Sequence, residues 1–258
     1  MNINRTEKYI DLTQEQLPDY LMDVRENALE NGIPIIRPSV QGFLRFMMRY
    51  AKPQNILEIG TAVGFSSLLM HEYAPDAHIT TIENYEPRLV TARENLAGCM
   101  SSTKADVSEC AADGDPAGDT AARTGEDKYC VRHFGSITLC EGNAEDILPE
   151  LEDEAYDFVF LDAAKGQYII LLPQIVRVLR HGGLLVADNC MQDGDVIESR
   201  YAVRRRDRTI HDRMREYLSA VSVHPELSSS ILPMADGVTV SYRKLDTVGT
   251  FRPPDGTD

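Results

Sequence analysis

The sequence predicts an α/β fold in which a largely parallel sheet is covered by helices on both faces. Short apolar segments typical of buried strands alternate along the chain with segments of helical periodicity, which is the order expected of parallel strands joined by helices. The 258 residues, of which 43% are hydrophobic, suffice to bury the core of one domain. We therefore expect a single domain over residues 1–245 and a frayed tail over residues 246–258, which contains two prolines and two glycines.

The amino-terminal part is predicted to form helices ahead of the sheet. Residues 11–32 have a helical pattern that ends at Gly32, a residue suited to a helix C-cap. The apolar residues within 43–50 are spaced as on the core-facing side of a helix. Residues 1–12 lack the character of a secretory signal, and no apolar run reaches the ~18 residues of a membrane span. We expect a cytoplasmic protein without membrane attachment.

The first predicted strand, residues 55–59, leads into a glycine-containing turn and then into a helix. Apolar residues flank Glu58 as in a buried strand, and Gly60 and Gly64 allow the backbone to turn tightly beside a ligand. A carboxylate at Glu58 disfavours a phosphate site and favours S-adenosylmethionine, whose ammonium group tolerates nearby acid. The alternative is that the two glycines only allow the helix to pack against the strand.

A second predicted strand, residues 79–83, ends in Glu83, about 20 positions beyond the glycine turn. An acidic residue at this place is suited to accept hydrogen bonds from both hydroxyl groups of a ribose. The alternative is a solvated carboxylate at the end of a strand. Together with the glycine turn, Glu83 predicts a nucleoside-containing cofactor.

The segment 97–135 interrupts the α/β pattern. It is rich in Ala, Gly, Asp, Ser and Thr and lacks sustained periodicity, so we expect an inserted, mobile surface loop. After it the alternation resumes with two strands, a helix over 171–179 and a further strand over 182–189. The later strands carry the most distinctive polar residues.

Polar side chains follow two of these later strands. Asp162 ends one apolar run, with Lys165 three residues on, and Asp188 and Asn189 end another. Because the carboxyl ends of neighbouring parallel strands open onto one crevice, these oxygen donors can converge there. Two carboxylates and an amide suit Mg²⁺. Taken singly, each residue is explained equally well without a metal: Asp162 as a helix cap, Asp188 and Asn189 as a turn pair, and Lys165 as a solvated lysine. Together they predict a metal site.

Composition excludes several other kinds of site. The five cysteines are odd in number and contain no C-x-x-C pair, so neither a zinc site nor a disulfide framework is indicated. The formal charge of −15 disfavours indiscriminate attraction to membranes or nucleic acid. The segment 200–215 is an exception, because it contains seven arginines and two aspartates. It is either a solvated helix face or a local positive patch that contacts RNA.

Five sequence blocks occur in the order known from one enzyme family: ILEIGTAVGFSS, TIENYEP, EGNAEDILP, FLDAAKGQY and GGLLVADNCMQDG. Over residues 35–245, apart from the insert, the chain resembles the divalent-metal-dependent O-methyltransferases of the catechol and caffeoyl-CoA type. The resemblance implies a Rossmann-like class I methyltransferase fold. In that fold seven strands form a mostly parallel sheet whose last strand, here within 235–244, is antiparallel and lies beside 228–234.

The resemblance also implies roles for individual residues. It places S-adenosylmethionine against Val40, Glu58, Gly60, Thr61, Gly64, Ser66, Glu83, Asn143, Ala144 and Asp162. It implies that Asp162, Asp188 and Asn189 hold Mg²⁺ or Mn²⁺, and that Lys165 and Asp162 are the catalytic residues. The family usually has Asp where this chain has Asn143, so the adenine contact is expected to be weaker.

Within this family, DAAKGQY, RRRDRTIHDRMREYL and ILPMADGVTVS look most like bacterial tRNA 5-hydroxyuridine methyltransferases. That likeness implies methylation to 5-methoxyuridine at the wobble position of the tRNA anticodon loop. The RNA would be bound by Arg204, Arg205, Arg206 and Arg208. The family also implies a homodimer that uses the amino-terminal helices. Two alternatives stay open: a small-molecule O-methyltransferase acting on catechol-like or hydroxycinnamoyl substrates, and a cofactor-binding module without catalysis.

Overall fold

A computed structural model of the chain describes residues 5–102 and 129–245 and confirms the predicted α/β architecture. The helices are α1 (Arg5–Thr13), α2 (Asp19–Glu30), α3 (Pro38–Ala51), α4 (Phe65–Tyr73), α5 (Glu86–Ser102), α6 (Ala144–Ile147), α7 (Tyr168–Val178) and α8 (Arg208–Val223). The strands are β1 (Asn55–Ile59), β2 (His78–Glu83), β3 (Cys130–Phe134), β4 (Ile137–Glu141), β5 (Tyr156–Leu161), β6 (Leu179–Ala187), β7 (Leu227–Leu232) and β8 (Val238–Arg243). Short 3₁₀ helices occupy Leu148–Glu150, Lys165–Gln167 and Gln192–Ile197.

The strands of the described residues form one sheet in the order β3-β4-β2-β1-β5-β6-β8-β7. The five neighbouring strands β4, β2, β1, β5 and β6 are parallel to one another. Strand β8 pairs antiparallel with both β6 and β7, as predicted for the carboxyl-terminal hairpin. The predicted number of seven strands is wrong, because β3 adds an eighth strand that pairs antiparallel with β4.

Both ends of the predicted insert 97–135 belong to regular secondary structure. Helix α5 continues through residues 97–102, and β3 together with the turn at Gly135 forms a hairpin with β4. The sequence pattern did not reveal them, because β3 is a short, partly buried strand that depends on its antiparallel pairing with β4 and not on an apolar pattern of its own. Residues 103–128 and the predicted tail 246–258 lie outside the described residues.

Two apolar layers enclose the sheet. Alternate residues of the central strands point to opposite faces, so that Ile56 and Phe158 join one buried cluster while Leu57 and Val159 join the other. Helices α2 to α5 cover the first face, and helices α6 to α8 cover the second. Among the described residues, no helix has the length and apolar character to cross a membrane.

The topology fixes where a ligand can bind. Strand β2, which follows β1 in the chain, lies on one side of β1. Strand β5 lies on the other side of β1, and β6, which follows β5 in the chain, lies beyond β5. The connections after β1 and β5 therefore leave the sheet in opposite directions and open a crevice at the carboxyl ends of these two strands. This is the position at which open α/β sheets bind their ligands.

Candidate active site

The carboxyl ends of the parallel strands open onto a cavity of about 750 Å³, a volume typical of small-molecule sites. Its charged and amide-bearing lining residues include Arg37, Glu83, Arg88, Asp162, Lys165, Asp188, Asn189 and Asp236. A smaller adjoining cavity is lined by Gly60, Thr61 and Ser66, among others. Of the residues predicted to contact the cofactor, Gly60, Thr61, Ser66, Glu83, Ala144 and Asp162 line one or both cavities.

Gly60 occupies a position that requires glycine. Its φ is 108°, in a region that other residues rarely adopt, and its N–H donates to the carbonyl oxygen of Ile82 at 2.9 Å. A Cβ built on Gly60 would lie 2.1 Å from the carbonyl oxygen of Asp162. The glycine turn after β1 and the loop after β5 therefore touch through their backbones.

Glu83 ends β2, and its carboxylate is held by three backbone N–H groups. Oε2 accepts from Ala62 at 2.9 Å, and Oε1 accepts from Asn84 and Tyr85, each at 2.9 Å. A carboxylate oxygen has two lone pairs, so Oε2, which accepts only one of these three hydrogen bonds, can still accept a hydrogen bond from a ligand hydroxyl group. The predicted role on a ribose is compatible with this geometry.

Four of the predicted cofactor residues, Val40, Glu58, Gly64 and Asn143, lie outside the lining of both cavities. Val40 is fully buried in the core, on α3. Gly64, with φ of 83°, begins α4 and packs on Leu96, which would lie 3.4 Å from an added Cβ. Asn143 is the N-cap of α6, and its side-chain oxygen accepts from the N–H of Glu145 at 3.2 Å.

Glu58 also lies outside the cavity lining. It points from β1 toward α4, and its carboxylate accepts hydrogen bonds from Ser67 of α4 and from Thr81 of β2. The residue is fully buried, and this burial raises the pKa of its carboxyl group. The structure thus places Glu58 in the interior, outside the lining of both cavities, and its contact with the cofactor stays a prediction.

The predicted metal residues come together at the ends of β5 and β6. Asn189 Nδ2 donates to Asp162 Oδ1 at 2.8 Å, and Asp188 Oδ1 accepts from the backbone N–H of Asn189 at 2.7 Å. Asn189 has φ of 58°, a left-handed conformation that Asn adopts more readily than most residues. No cluster of three His, Cys, Asp or Glu residues with metal-binding geometry occurs among the described residues, so any set here is two carboxylates and an amide.

The two carboxylates form a site of concentrated negative charge. Burial and, next, the charge of Asp162 raise the pKa of Asp188 to about 8. Burial likewise raises the pKa of Asp162. A divalent cation would compensate both carboxylates, since hard oxygen donors are what Mg²⁺ prefers. The residues therefore fit such an ion, provided that the Asn189 amide turns its oxygen toward it.

Lys165 extends into the same cavity and forms an ion pair that the sequence did not reveal. Its Nζ lies 3.2 Å from Oδ2 of Asp236, which is 4% exposed and precedes β8. In the sequence, Asp236 and Gly237 form an Asp-Gly pair between two predicted strands. Such a pair by itself indicates only a turn and not a partner for Lys165.

A second residue that the sequence analysis missed is Tyr168, the last residue of FLDAAKGQY. It is fully buried, and its hydroxyl group donates to the carbonyl oxygens of Asp188, at 2.9 Å, and Leu161, at 3.3 Å. Its ring meets Tyr217 of α8 edge to face at 5.3 Å. Tyr168 thereby joins the ends of the two strands that carry the paired carboxylates.

The arginine segment borders the crevice. Arg213 of α8 donates to the carbonyl oxygen of Gly166, next to Lys165, at 3.1 Å. Arg204, Arg205 and Arg206 are exposed just before α8, whereas Arg208 is partly buried and donates to the carbonyl oxygen of Val203.

The family model described as O-methyltransferase matches residues 110–244 of the chain. The chain belongs to this O-methyltransferase family. The match spans the loops that carry Asp162, Lys165, Asp188 and Asp236, which are the residues gathered in the crevice. The predicted O-methyltransferase activity is confirmed at this level.

Similar proteins agree with this assignment. The chain is 29% identical to a catechol O-methyltransferase from Niastella koreensis over 70% of each sequence, and 26% identical to a caffeoyl-CoA O-methyltransferase from Citrus natsudaidai over 88% of each. A Staphylococcus aureus protein provisionally named a caffeoyl-CoA O-methyltransferase has a crystal structure with a TM-score of 0.75 and 27% identity, covering 93% of this chain and all of that one. The Podospora anserina methyltransferase PaMTH1, at 23% identity, shares the fold with a TM-score of 0.71, covering 93% of this chain and 94% of that one.

In this O-methyltransferase, the predicted catalytic and metal-binding residues thus meet in one crevice. The metal, the acceptor substrate and the subunit assembly stay predictions.

Proposed function

We propose that this O-methyltransferase transfers the methyl group of S-adenosylmethionine, with the help of a divalent cation, to the 5-hydroxyl of 5-hydroxyuridine at the wobble position of tRNA. One observation carries the proposal: Asp162, Asp188, Asn189 and Lys165 converge in a crevice beside the glycine turn at Gly60.

Cofactor binding is supported by the first two strand ends. Glu83, held by three N–H groups, lies in the crevice with Gly60 and Ala144, where a nucleoside can lie between the ends of β1, β2 and β4. Several proteins of the same fold have been solved with this cofactor or its product, including PaMTH1 and a Bacillus cereus O-methyltransferase with S-adenosylhomocysteine and the Streptomyces achromogenes TomG with S-adenosylmethionine.

A bound divalent cation would supply Lewis-acid chemistry, lowering the pKa of a hydroxyl group and fixing the direction of its oxygen. Asp162, Asp188 and Asn189 would hold the cation, and the crevice would place the acceptor oxygen in line with the methyl group. Lys165 is paired with a carboxylate and acts as a hydrogen-bond donor that stabilises the acceptor oxyanion. The acidified hydroxyl group first loses its proton to water. Its oxygen then forms a bond to the methyl carbon while the carbon–sulfur bond breaks, and the electron pair of that bond leaves with the neutral sulfide.

The tRNA substrate is supported by chemistry and by the position of the arginines. The 5-hydroxyl of 5-hydroxyuridine lies next to the O4 carbonyl, so the base offers two adjacent oxygens to a cation, much as a catechol does. An anticodon-loop base can be turned out of its stack into a pocket. Exposed Arg204, Arg205 and Arg206 lie on the segment that Arg213 anchors beside Lys165, within reach of flanking phosphates.

Replacing Arg204, Arg205 and Arg206 together with alanine is expected to weaken tRNA binding about 10-fold or more at low salt, and to lower the slope of log affinity against log salt by roughly 2, at ~0.7 for each phosphate contact. S-adenosylhomocysteine binding should not change. The matched control replaces Lys52, Arg180 and Lys244, three exposed cations at the opposite edge of the sheet. Filter binding across a salt series measures both effects. Equal losses in the two triple variants would contradict a specific RNA site.

A small-molecule acceptor is the second candidate, and the names of the catechol and caffeoyl-CoA O-methyltransferases among the relatives favour it. The two candidates differ in one assay. Unaltered enzyme, S-adenosylmethionine and Mg²⁺ are offered either tRNA that carries 5-hydroxyuridine or a catechol, and nucleoside mass analysis follows 5-methoxyuridine. Turnover of the catechol far above that of the tRNA would replace the first candidate by the second.

We also propose that the enzyme is a homodimer. Large apolar side chains are exposed on the two helices expected to form the interface: Leu12 on α1, at 85%, and Phe46 and Tyr50 on α3, at 60% and 74%. The rings of Phe46 and Tyr50 stack at 5.8 Å, which makes one flat apolar surface. Light scattering should give about twice the monomer mass, and replacing both rings with Ser should give the monomer mass. A monomeric unaltered protein would exclude this assembly.

A further inference from the structure

We propose that Asp236 is a positioning residue that holds the ammonium group of Lys165 away from the two carboxylates of the cation site. The inference rests on the proposed metal-assisted function and adds a residue to its machinery. Asp236 is 4% exposed, lines the cavity and lies 3.2 Å from Lys165 Nζ. It comes from the antiparallel hairpin at the far side of the crevice and not from a parallel strand end.

The turn that presents Asp236 is built against the loop that carries the cation site. Ala235 and Gly237 flank Asp236 with φ of 51° and 82°. The N–H of Met191 donates to the carbonyl oxygen of Asp236 at 2.7 Å, and the N–H of Cys190 donates to that of Gly237 at 2.8 Å. These two donors follow Asp188 and Asn189 directly in the chain. Left-handed backbone at Ala235 costs energy, and such strain is typically retained where a side chain must be aimed.

The close packing of this turn leaves Asp236 little freedom. A Cβ on Gly237 would lie 2.4 Å from Cγ and 2.9 Å from the backbone nitrogen of Met191. The Asp236 carboxylate is therefore fixed relative to Asp188, whereas Lys165 has a long, flexible side chain that is 32% exposed. Of the two partners in the ion pair, Asp236 is the one that determines where the other lies.

The electrostatics of the crevice explain why this matters. Asp162 and Asp188 attract any nearby cation, and Lys165 is only three residues from Asp162 in the chain. Without a fixed partner, the ammonium group would occupy the position between these two carboxylates and compete with the divalent cation. Paired with Asp236, it stays at the side of the crevice and remains available to the acceptor oxygen.

The test is a double-mutant cycle in Mn²⁺ binding, followed by electron paramagnetic resonance. Asp236→Asn, which keeps the shape of the side chain, is expected to weaken Mn²⁺ binding about 10- to 100-fold, the range typical of residues that orient a metal site. In a Lys165→Met background the same substitution should change the affinity less than about 3-fold, because no ammonium is left to compete. Asp236→Glu should restore most of the lost affinity, because it restores the charge.

The matched control is Asp157→Asn. Asp157 is also buried and lies 3.6 Å from an arginine, Arg180, but it is at the amino end of β5. The Asp157→Asn substitution should leave the Mn²⁺ affinity unchanged, even if it lowers the melting temperature of the protein. If Asp236→Asn weakens binding equally with Lys165 and with Met at that position, Asp236 acts on the cation directly and the inference is overturned. If the unaltered protein binds no Mn²⁺, the proposed metal-assisted function itself is rejected, and the inference with it.

Discussion

Replacing Asp162 with alanine is expected to lower methyl transfer by about 1,000-fold or more, which corresponds to roughly 4 kcal/mol of transition-state stabilisation. The substitution removes one of the two carboxylates of the proposed cation site and the acceptor that holds the Asn189 amide at 2.8 Å. The backbone of residue 162 should stay in place, because its N–H donates to the carbonyl oxygen of Ile59 at 2.9 Å. Single-turnover assays with saturating S-adenosylmethionine and Mg²⁺ measure the loss.

Two further measurements separate lost chemistry from lost structure. The melting temperature of Asp162→Ala should equal or exceed that of the unaltered apo protein, because the substitution relieves the repulsion with Asp188. Asp153→Ala, which removes an exposed carboxylate paired with Arg177 at the surface, is the control and should keep full activity. An Asp162→Ala enzyme that retains a third of the activity would show that the reaction does not depend on this site.

Gly60→Ala is expected to destabilise the protein by about 3 kcal/mol and to remove measurable binding of S-adenosylhomocysteine. The added methyl group would lie 2.1 Å from the carbonyl oxygen and 2.7 Å from the carbonyl carbon of Asp162, so backbone must move in one loop or the other. Either movement opens the contact between the glycine turn and the loop after β5, where the cofactor pocket and the carboxylate pair meet. Urea unfolding and titration calorimetry measure the two effects.

Gly32→Ala is the matched control for backbone strain alone. Gly32 has φ of 67°, and nothing lies within 4 Å of a Cβ built on it. Replacing Gly32 with alanine should lower the free energy of unfolding by only about 1–2 kcal/mol, as is typical of an alanine in the left-handed conformation. Ligand binding should not change. If both alanine variants lose the same stability and both bind S-adenosylhomocysteine, the close contact between Gly60 and Asp162 is not required for cofactor binding.

The strand ends were predictable because their pattern is local. An apolar run that stops at a polar residue marks the end of a buried strand, and parallel strands bring their carboxyl ends to one edge. That argument alone places Glu83, Asp162, Asp188 and Asn189 together, as the structure does. Gly60 was predictable for the same reason, since the turn after such a strand must approach its neighbour closely.

The direction of single side chains was harder to predict. Glu58 lies one residue before the end of β1, and its side chain points toward α4, on the face shared with Ile56. The alternation of strand residues contained this information, and the contact with the cofactor that the resemblance implies for Glu58 stays a prediction. Val40 is a similar case. Its position on a helix is compatible with burial, but the sequence does not say whether the buried side chain also reaches the cavity.

By itself, the sequence determined the layered α/β architecture, the family and the crevice-forming strand ends, because periodicity and strand termination depend on residues close together in the chain. Only the tertiary structure revealed the antiparallel β3, the Tyr168 link between β5 and β6, and the pairing of Lys165 with Asp236 across 71 positions of sequence. The last two contacts arise because the sheet brings separate segments of the chain together, whereas β3 is a short strand that depends on its pairing with the next strand, β4. None of these partners can be identified from the local sequence pattern.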